Sequence, residues 1–316
     1  MIRYFLDGGR QSDSSAFEDL IKPLSPEGFF NEVWDKDILL VEGDASPFGP
    51  PIDLDQFLVA LFEVGVGCQN LIYLHPSEPS REQSLDSFFR NKMGWEEAPS
   101  AGQLAQETLG GTLVFSSLEM RIPGARAWCQ KIFEATGCRT KINGYFSSGQ
   151  GANAFGAHCD DTDVFVVQIA GEKDWLLWNR SSTPPTPEDP VDARGEPACD
   201  EKVRLVRGSM LYMPRNVWHW PKTAGEEYSF HLTVTVKPRL VQDILDWLEH
   251  GLLQEDFAKS ILPMSRYQSD KASSHPDLDK ALAMISAQVT DPDAKGRAVR
   301  HLAMQNLRTM HAKPKD

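Results

Sequence analysis

His158 and Asp160 flank Cys159, and His219 follows further down the chain. On a β-strand side chains alternate, so a His-x-Asp places imidazole and carboxylate on one face. A histidine delivered by a neighbouring strand completes a set of two imidazoles and one carboxylate. That set occupies one face of an octahedral metal and leaves the other positions open, the ligand arrangement of non-haem Fe(II) oxygenase chemistry. The motif is short, and the chain holds 8 histidines and 45 Asp and Glu residues. Ordinary buried or surface histidines are therefore the alternative, and the surrounding elements have to decide.

Those elements are strand-like. Gly149, Gly151 and Gly156 form a flexible approach to His158, and Val164 to Ile169 is a β-rich run. Gly171 turns that run into Lys173-Asp174-Trp175-Leu176-Leu177-Trp178. Ahead of His219, Leu211-Tyr212-Met213-Pro214-Arg215 reads as a strand broken at proline. Asp160, Asp161 and Asp163 lie close together, and burying even one carboxylate requires a compensating charge, which a divalent metal supplies. Residues 139–146, 203–206, 209–213 and 228–236 are further strands, so 111–238 reads as a closed or sandwiched β core. A helix over 125–136 interrupts the strands, and five prolines within 180–200 mark an extended loop.

Before this core, Ser25-Pro26-Glu27 is a helix start, with Ser as N-cap and Pro in the first turn. Ile38 to Val41 follows as a buried strand. Asp53 caps a second helix through Phe57, Leu58, Leu61 and Phe62. Residues 76–102 read as loop and short helix. After Pro238 the pattern becomes helical. Leu240, Val241, Ile244, Leu245, Trp247 and Leu248 share one face, and Gly251 fits the stop. Helices over 277–289 and 292–308 have Asp277 and Asp291 as caps. The expected class is α+β, mainly β. Its parts are 1–110 (helices and strands), 111–238 (β core with the metal site) and 239–316 (a helical tail).

The length of 316 residues allows one large domain with an appendage. Hydrophobic residues at 41% and charged residues at 24% permit a packed core. A net charge of −13 argues against a broad basic face for nucleic acid. Five cysteines without a CxxC pair disfavour a disulfide framework or a structural zinc site. The first residues lack the apolar centre of a secretion signal. The most apolar stretch, 57–68, is short and carries Glu63, so no membrane span is expected. The default location is a reducing cytoplasm.

Ala157 to Gln168, continued by Gly171 to Trp175, resembles the metal-binding stretch of the JmjC oxygenases, most of all the ribosomal-oxygenase branch of protein hydroxylases. Gly208 to Arg215 leading to His219, and Ser229 to Thr233, are similar to the later strands of that branch. Phe29-Phe30 with Trp34, followed by Ile38 to Val41, is similar to its entry. The likeness covers roughly residues 20–238. It implies a double-stranded β-helix, Fe(II), 2-oxoglutarate and O2, with His158, Asp160 and His219 on the metal. It places Lys173 where the family has the basic residue for the distal carboxylate of 2-oxoglutarate. Asn143 and Tyr145 then line the cosubstrate pocket, and Thr235 stands where a serine is usual. The alternatives are a solvated turn for Lys173 and ordinary strand packing for the other three. Cys159 replaces a usual tyrosine, Ser209 a usual aspartate, and one extra residue sits in the glycine-rich approach. The tail after 238 is shorter than the dimerisation and winged-helix region of the ribosomal branch, which puts the ribosomal substrate in doubt.

The implied activity is hydroxylation of a side chain of a protein or peptide. Hydroxylation of a free amino acid or natural product, N-methyl demethylation through the same centre, and a cupin-like metal-binding protein without catalysis are the other readings. Trp175, Trp178, Trp218 and Trp220 are aromatic candidates for the substrate side. Residues 239–250 carry more apolar side chains than a surface helix needs, so a homodimer through the tail is expected.

Overall fold

The computed structural model describes residues 1–5, 16–42, 52–64, 70–75, 83–84, 98–180, 182, 190, 196–225 and 227–238, with five helical positions between 283 and 296. The chain divides into two compact units, Met1–Pro238 and Arg239–Asp316. In the second unit Ala283, Ser286, Thr290, Asp293 and Gly296 are helical. The expected amphipathic helix over 239–250 lies outside the described residues. No described helix is long and apolar enough to cross a membrane.

The first unit begins with β1 (Ile2–Phe5), α1 (Ala16–Ile21), α2 (Pro26–Glu32), β2 (Leu39–Glu42) and α3 (Leu54–Val64). It continues with β3 (Leu71–Leu74), β4 (Gln83–Ser84), α4 (Ala101–Glu107), β5 (Thr112–Phe115), a 3-10 turn (Leu118–Met120) and α5 (Pro123–Thr136). The core strands are β6 (Arg139–Ser148), β7 (Asp163–Ala170), β8 (Lys173–Trp178), β9 (Glu201–Leu205), β10 (Met210–Met213), β11 (Trp218–Thr223) and β12 (Tyr228–Lys237). The helix starts follow their caps. Ser25 Oγ accepts from Gly28 N at 3.1 Å, and Asp53 Oδ1 accepts from Gln56 N at 2.8 Å. Ser100 and Gln103 form a reciprocal capping box.

Nine strands form one sheet in the order β1-β2-β10-β7-β12-β6-β5-β3-β4, and three form a second in the order β11-β8-β9. From β7 onward the chain passes from the large sheet to the small one (β8, β9), back (β10), across again (β11) and back (β12). This winding is a double-stranded β-helix, built as two open sheets rather than one closed barrel. Side-chain alternation gives β7 two partners. Val164 and Val166 share a core with Leu211 and Met213 of β10 and with Trp175, Leu177, Val203 and Leu205 of the small sheet. Phe165 points the other way and packs on Phe29 of α2, 5.8 Å between ring centroids, and Phe17 of α1, 6.5 Å. The N-terminal helices thus brace the back of the large sheet, and the space between the sheets is left for the site.

The β7–β8 turn demands glycine. Gly171 has φ +63°, and a Cβ there would sit 2.0 Å from the carbonyl oxygen of Tyr228. Lys173 therefore starts β8 at a fixed point, pointing to the same side as Trp175 and Leu177.

Candidate functional site

His158 and Asp160 do not lie on a strand. β7 begins only at Asp163, and His158 makes an isolated bridge with His219. The two histidines exchange backbone bonds, His158 N to His219 O at 3.1 Å and His219 N to His158 O at 2.8 Å. Directly paired residues carry their side chains to one face, and the ring centroids are 4.3 Å apart. The strand alternation expected for His158 and Asp160 is thus replaced by a cross-chain pair that brings His219 directly to His158.

Two further bonds hold this arrangement. Asn216, at φ 64°, donates its backbone N–H to Asp160 O at 2.8 Å. Asp163 Oδ1 accepts from Arg215 N at 2.8 Å. The turn before β11 is therefore stapled to the His-x-Asp segment at both ends. Asp163 is fully buried, and burial pushes its carboxyl up to about 6.

The ligand atoms of His158, Asp160 and His219 all lie within 4.8 Å of one another. Each histidine directs Nδ1 at a backbone carbonyl, His158 at Gly156 O (2.8 Å) and His219 at Val217 O (2.9 Å). A carbonyl only accepts, so Nδ1 carries a proton in each ring, and a neutral ring then has its lone pair on Nε2. Such a carbonyl bond is the usual way a ligating histidine is held in one tautomer. Burial, with His158 beside it, lowers His219 to about 3, so it is neutral at ordinary pH. Asp160 is raised by burial, and its contact with His219 Nε2 at 3.7 Å brings no cation while that ring is neutral. The neutral His219 imidazole, the imidazole of His158 and the carboxylate of Asp160 make a donor set that fits a divalent cation.

The three residues open into a cavity of about 410 Å³ between the sheets. Lys173, Tyr145, Trp175, His231 and Thr233 line it together with them, and Phe155 stands at it 38% exposed. Lys173 is only 1% exposed, which decides against a solvated turn residue. Its Nζ donates to Ser147 Oγ at 2.7 Å, and burial lowers it to about 7. Its neighbour Asp174 shows the contrast. That carboxylate, on the other face of β8, is raised by burial, but Arg204 at 2.7 Å and Lys202 at 3.5 Å outweigh this and lower it. Among the described residues no carboxylate does the same for Lys173. His231 stacks on Tyr145 with 4.8 Å between centroids, and Trp175 meets its edge at 5.6 Å. His231 Nδ1 and Trp175 Nε1 are buried without a partner. A buried cation without an anion, beside unpaired ring nitrogens, fits an anionic group entering the cavity.

Asn143 is not on the cavity wall. Its amide bonds the Tyr145 hydroxyl, and its Oδ1 accepts from Ser117 N at 2.9 Å, so it acts behind Tyr145. Burial, then the charge of Asp160, pushes Tyr145 up to about 12. Thr235 is not on the wall either; Thr233, one pleat earlier on β12, takes that place. Of the four tryptophans only Trp175 lines the cavity. Trp178 donates Nε1 to Ala198 O at 2.8 Å, and Trp218 and Trp220 alternate with His219 onto the opposite face. Ser147, His231 and Thr233 were missed in the sequence. The signal available was alternation along β6 and β12, which puts Ser147 on one face with Tyr145, and His231 with Thr233.

Residues 120–244 match the JmjC domain. Curated relatives of this chain include the Drosophila willistoni "bifunctional lysine-specific demethylase and histidyl-hydroxylase NO66", 24% identical over 86% of this chain and 37% of its own length. Rat "ribosomal oxygenase 2" is 26% identical over 71% of this chain and 48% of its own length. The chain thus spans about a third to a half of these relatives. Among solved structures, Escherichia coli ribosomal oxygenase YcfD superposes with a TM-score of 0.58 at 15% identity, covering 87% of this chain and 69% of that one. The YcfD structure with cobalt and 2-oxoglutarate gives 0.57 at 15%, covering 89% and 71%. The likeness to YcfD establishes the shared double-stranded β-helix.

Proposed function

We propose that this protein is an Fe(II)- and 2-oxoglutarate-dependent oxygenase that hydroxylates a side chain of a protein or peptide. The observation that carries the reading is one cavity lined both by His158, Asp160 and His219 and by the buried, anion-free Lys173. Fe(II) with 2-oxoglutarate and O2 supplies oxidative decarboxylation to succinate and CO2, coupled to insertion of one oxygen into a C–H bond. In this reading His158, Asp160 and His219 hold the metal and leave positions open. Lys173 receives the distal carboxylate of the cosubstrate through charge-assisted hydrogen bonds. Tyr145, held by Asn143, His231 and Thr233 wall that end, and Thr235 lies beyond them on β12. The protein's part is to bind, orient and exclude water. Relatives named ribosomal oxygenase and histidyl-hydroxylase support a protein side chain over a free metabolite.

The enzyme purified without O2, loaded with Fe(II) and then given O2, is expected to convert 2-oxoglutarate to succinate. Incubated with proteome digests and, separately, with small-molecule extracts, it is expected to add one oxygen to a peptide. Oxygen gained only by small molecules would move the substrate to the free amino acid or natural product class. Metal binding without any 2-oxoglutarate binding would leave a non-catalytic metal-binding protein.

The reading extends to location and assembly. The thiols of Cys129, Cys159 and Cys199 are in no disulfide, which supports a reducing cytoplasm. The run of apolar residues in the sequence over 239–250 supports a homodimer through the 239–316 tail. Light scattering is expected to give twice the chain mass at micromolar concentration, and a monomer mass would remove the dimer.

A further inference from the structure

One of the three N–H donors of the Lys173 ammonium is already committed inside the protein. It goes to Ser147 Oγ at 2.7 Å, and Ser147 Oγ lies 2.8 Å from Thr112 Oγ1. Lys173 is 1% exposed, and Ser147 and Thr112 are fully buried. Ser147 and Thr112 face each other directly in the β5–β6 ladder, so their side chains share one face. A protonated lysine has three donors and no acceptor. Ser147 must therefore accept from it, and the hydroxyl proton of Ser147 is free to go to Thr112 Oγ1. The lysine's charge sets the direction of the chain, Lys173 to Ser147 to Thr112. The other two ammonium donors have no described protein acceptor, and a carboxylate offers two oxygens for two donors.

We infer that Ser147, backed by Thr112, is a positioning residue that fixes the Lys173 ammonium for a distal carboxylate and thereby makes the site prefer a 2-oxo dicarboxylic acid over a 2-oxo monocarboxylic acid. The inference rests on the cosubstrate reading given above. It adds to it the element that orients the cation. A lysine carries four rotatable methylene bonds, and an ammonium free to turn would recognise the carboxylate as a point charge only. Anchoring one donor to a buried serine removes that freedom. The anchor itself is held because Thr112 takes up the remaining serine proton, so Ser147 cannot rotate away without leaving a buried hydroxyl unpaired.

The test is calorimetric titration of the full chain loaded with Mn(II), using 2-oxoglutarate and pyruvate as the two probes. Ser147→Ala is expected to weaken 2-oxoglutarate about tenfold and to leave pyruvate within about twofold, the size of a lost hydrogen bond to a charged group. Thr112→Val is expected to lose about threefold on 2-oxoglutarate alone, and Thr112→Ser, which keeps the hydroxyl, to bind like wild type. Unchanged 2-oxoglutarate affinity in Ser147→Ala would overturn the inference. So would an equal loss for both acids, because that marks damage to the metal end or the fold. If Ser147→Ala does not fold, Thr112→Val carries the test, and unchanged selectivity there overturns it. Wild type that binds neither acid overturns the cosubstrate reading itself, whereas wild type that binds both with a flat variant series overturns only the role of Ser147.

Discussion

Asp160→Ala is expected to lose Fe(II) or Mn(II) binding and 2-oxoglutarate turnover by at least about 100-fold, since even outer partners of metal ligands are worth 10–100-fold. The carboxylate is the one anionic ligand of the three, and His219 and His158 have their Nδ1 protons tied to carbonyls. Removing it leaves only the two imidazoles facing a dication. Metal content after dialysis and succinate release measure the two effects separately. The loss is not expected to reflect unfolding. Burial raises the Asp160 pKa, so the folded apo protein holds the ionised group at a cost. A carboxylate with a raised folded pKa binds more protons folded than unfolded, and its contribution to stability declines as pH rises through that window. Apo Asp160→Ala is therefore expected to melt no lower than apo wild type near neutral pH. A clearly lower apo melting temperature with intact metal binding would overturn this assignment.

The ligand set was legible because three residues of two types, at two places in the chain, carry it, and their chemistry is narrow. The local geometry was not. Strand alternation predicts His158 and Asp160 within a strand, whereas the site is assembled by a backbone pair between His158 and His219 and by Asp163 and Asn216 stapling the turn. Such bonds join residues more than fifty positions apart and leave no periodic trace. β6 to β10 and β12 were readable because burial on a pleated surface imposes alternation or continuous apolar runs, whereas β11 was given no range. β1 was not, because a four-residue edge strand pairing in parallel with β2 has no turn to announce it. Lys173 is the sharpest case. A lysine after a glycine turn reads as exposed, and only the resemblance to a family moved it inward. Its partner Ser147 sits on another strand, and Thr233 displaces Thr235 from the wall by one pleat, a distinction set by register and sheet curvature.

Lys173 also sets the largest expected effect on the cosubstrate. Lys173→Met, which keeps an apolar stem of similar length, is expected to weaken 2-oxoglutarate binding to the Mn(II)-loaded protein roughly 10- to 100-fold, the range for a lost charge-assisted bond. The pH dependence gives an independent readout. Burial, with no neighbouring anion, lowers Lys173 to about 7 in the free protein. A dicarboxylate binds the ammonium form, so above that pH each molecule bound must bring a proton with it. Affinity is then expected to fall by about tenfold per pH unit between about pH 7.5 and 8.5. The sign for stability is opposite. The unfolded chain keeps its lysine protonated up to the usual lysine range, so between about pH 7 and that range it holds more protons than the folded apo protein. The lysine's penalty on the apo fold shrinks as pH rises, while the stabilisation contributed by 2-oxoglutarate shrinks with it. Lys173→Met removes both slopes, and Lys173→Arg, whose guanidinium does not deprotonate in this range, removes the decline in affinity while keeping a cation. Calorimetry across that interval checks all three proteins. A wild-type affinity that stays level while Lys173→Met remains tight would mean that the distal carboxylate is held elsewhere in the cavity. His231 is the other side chain at that end of the wall able to take a positive charge, and burial followed by the charge of Lys173 keeps it neutral. A level profile could therefore not be ascribed to His231 taking over as the cation.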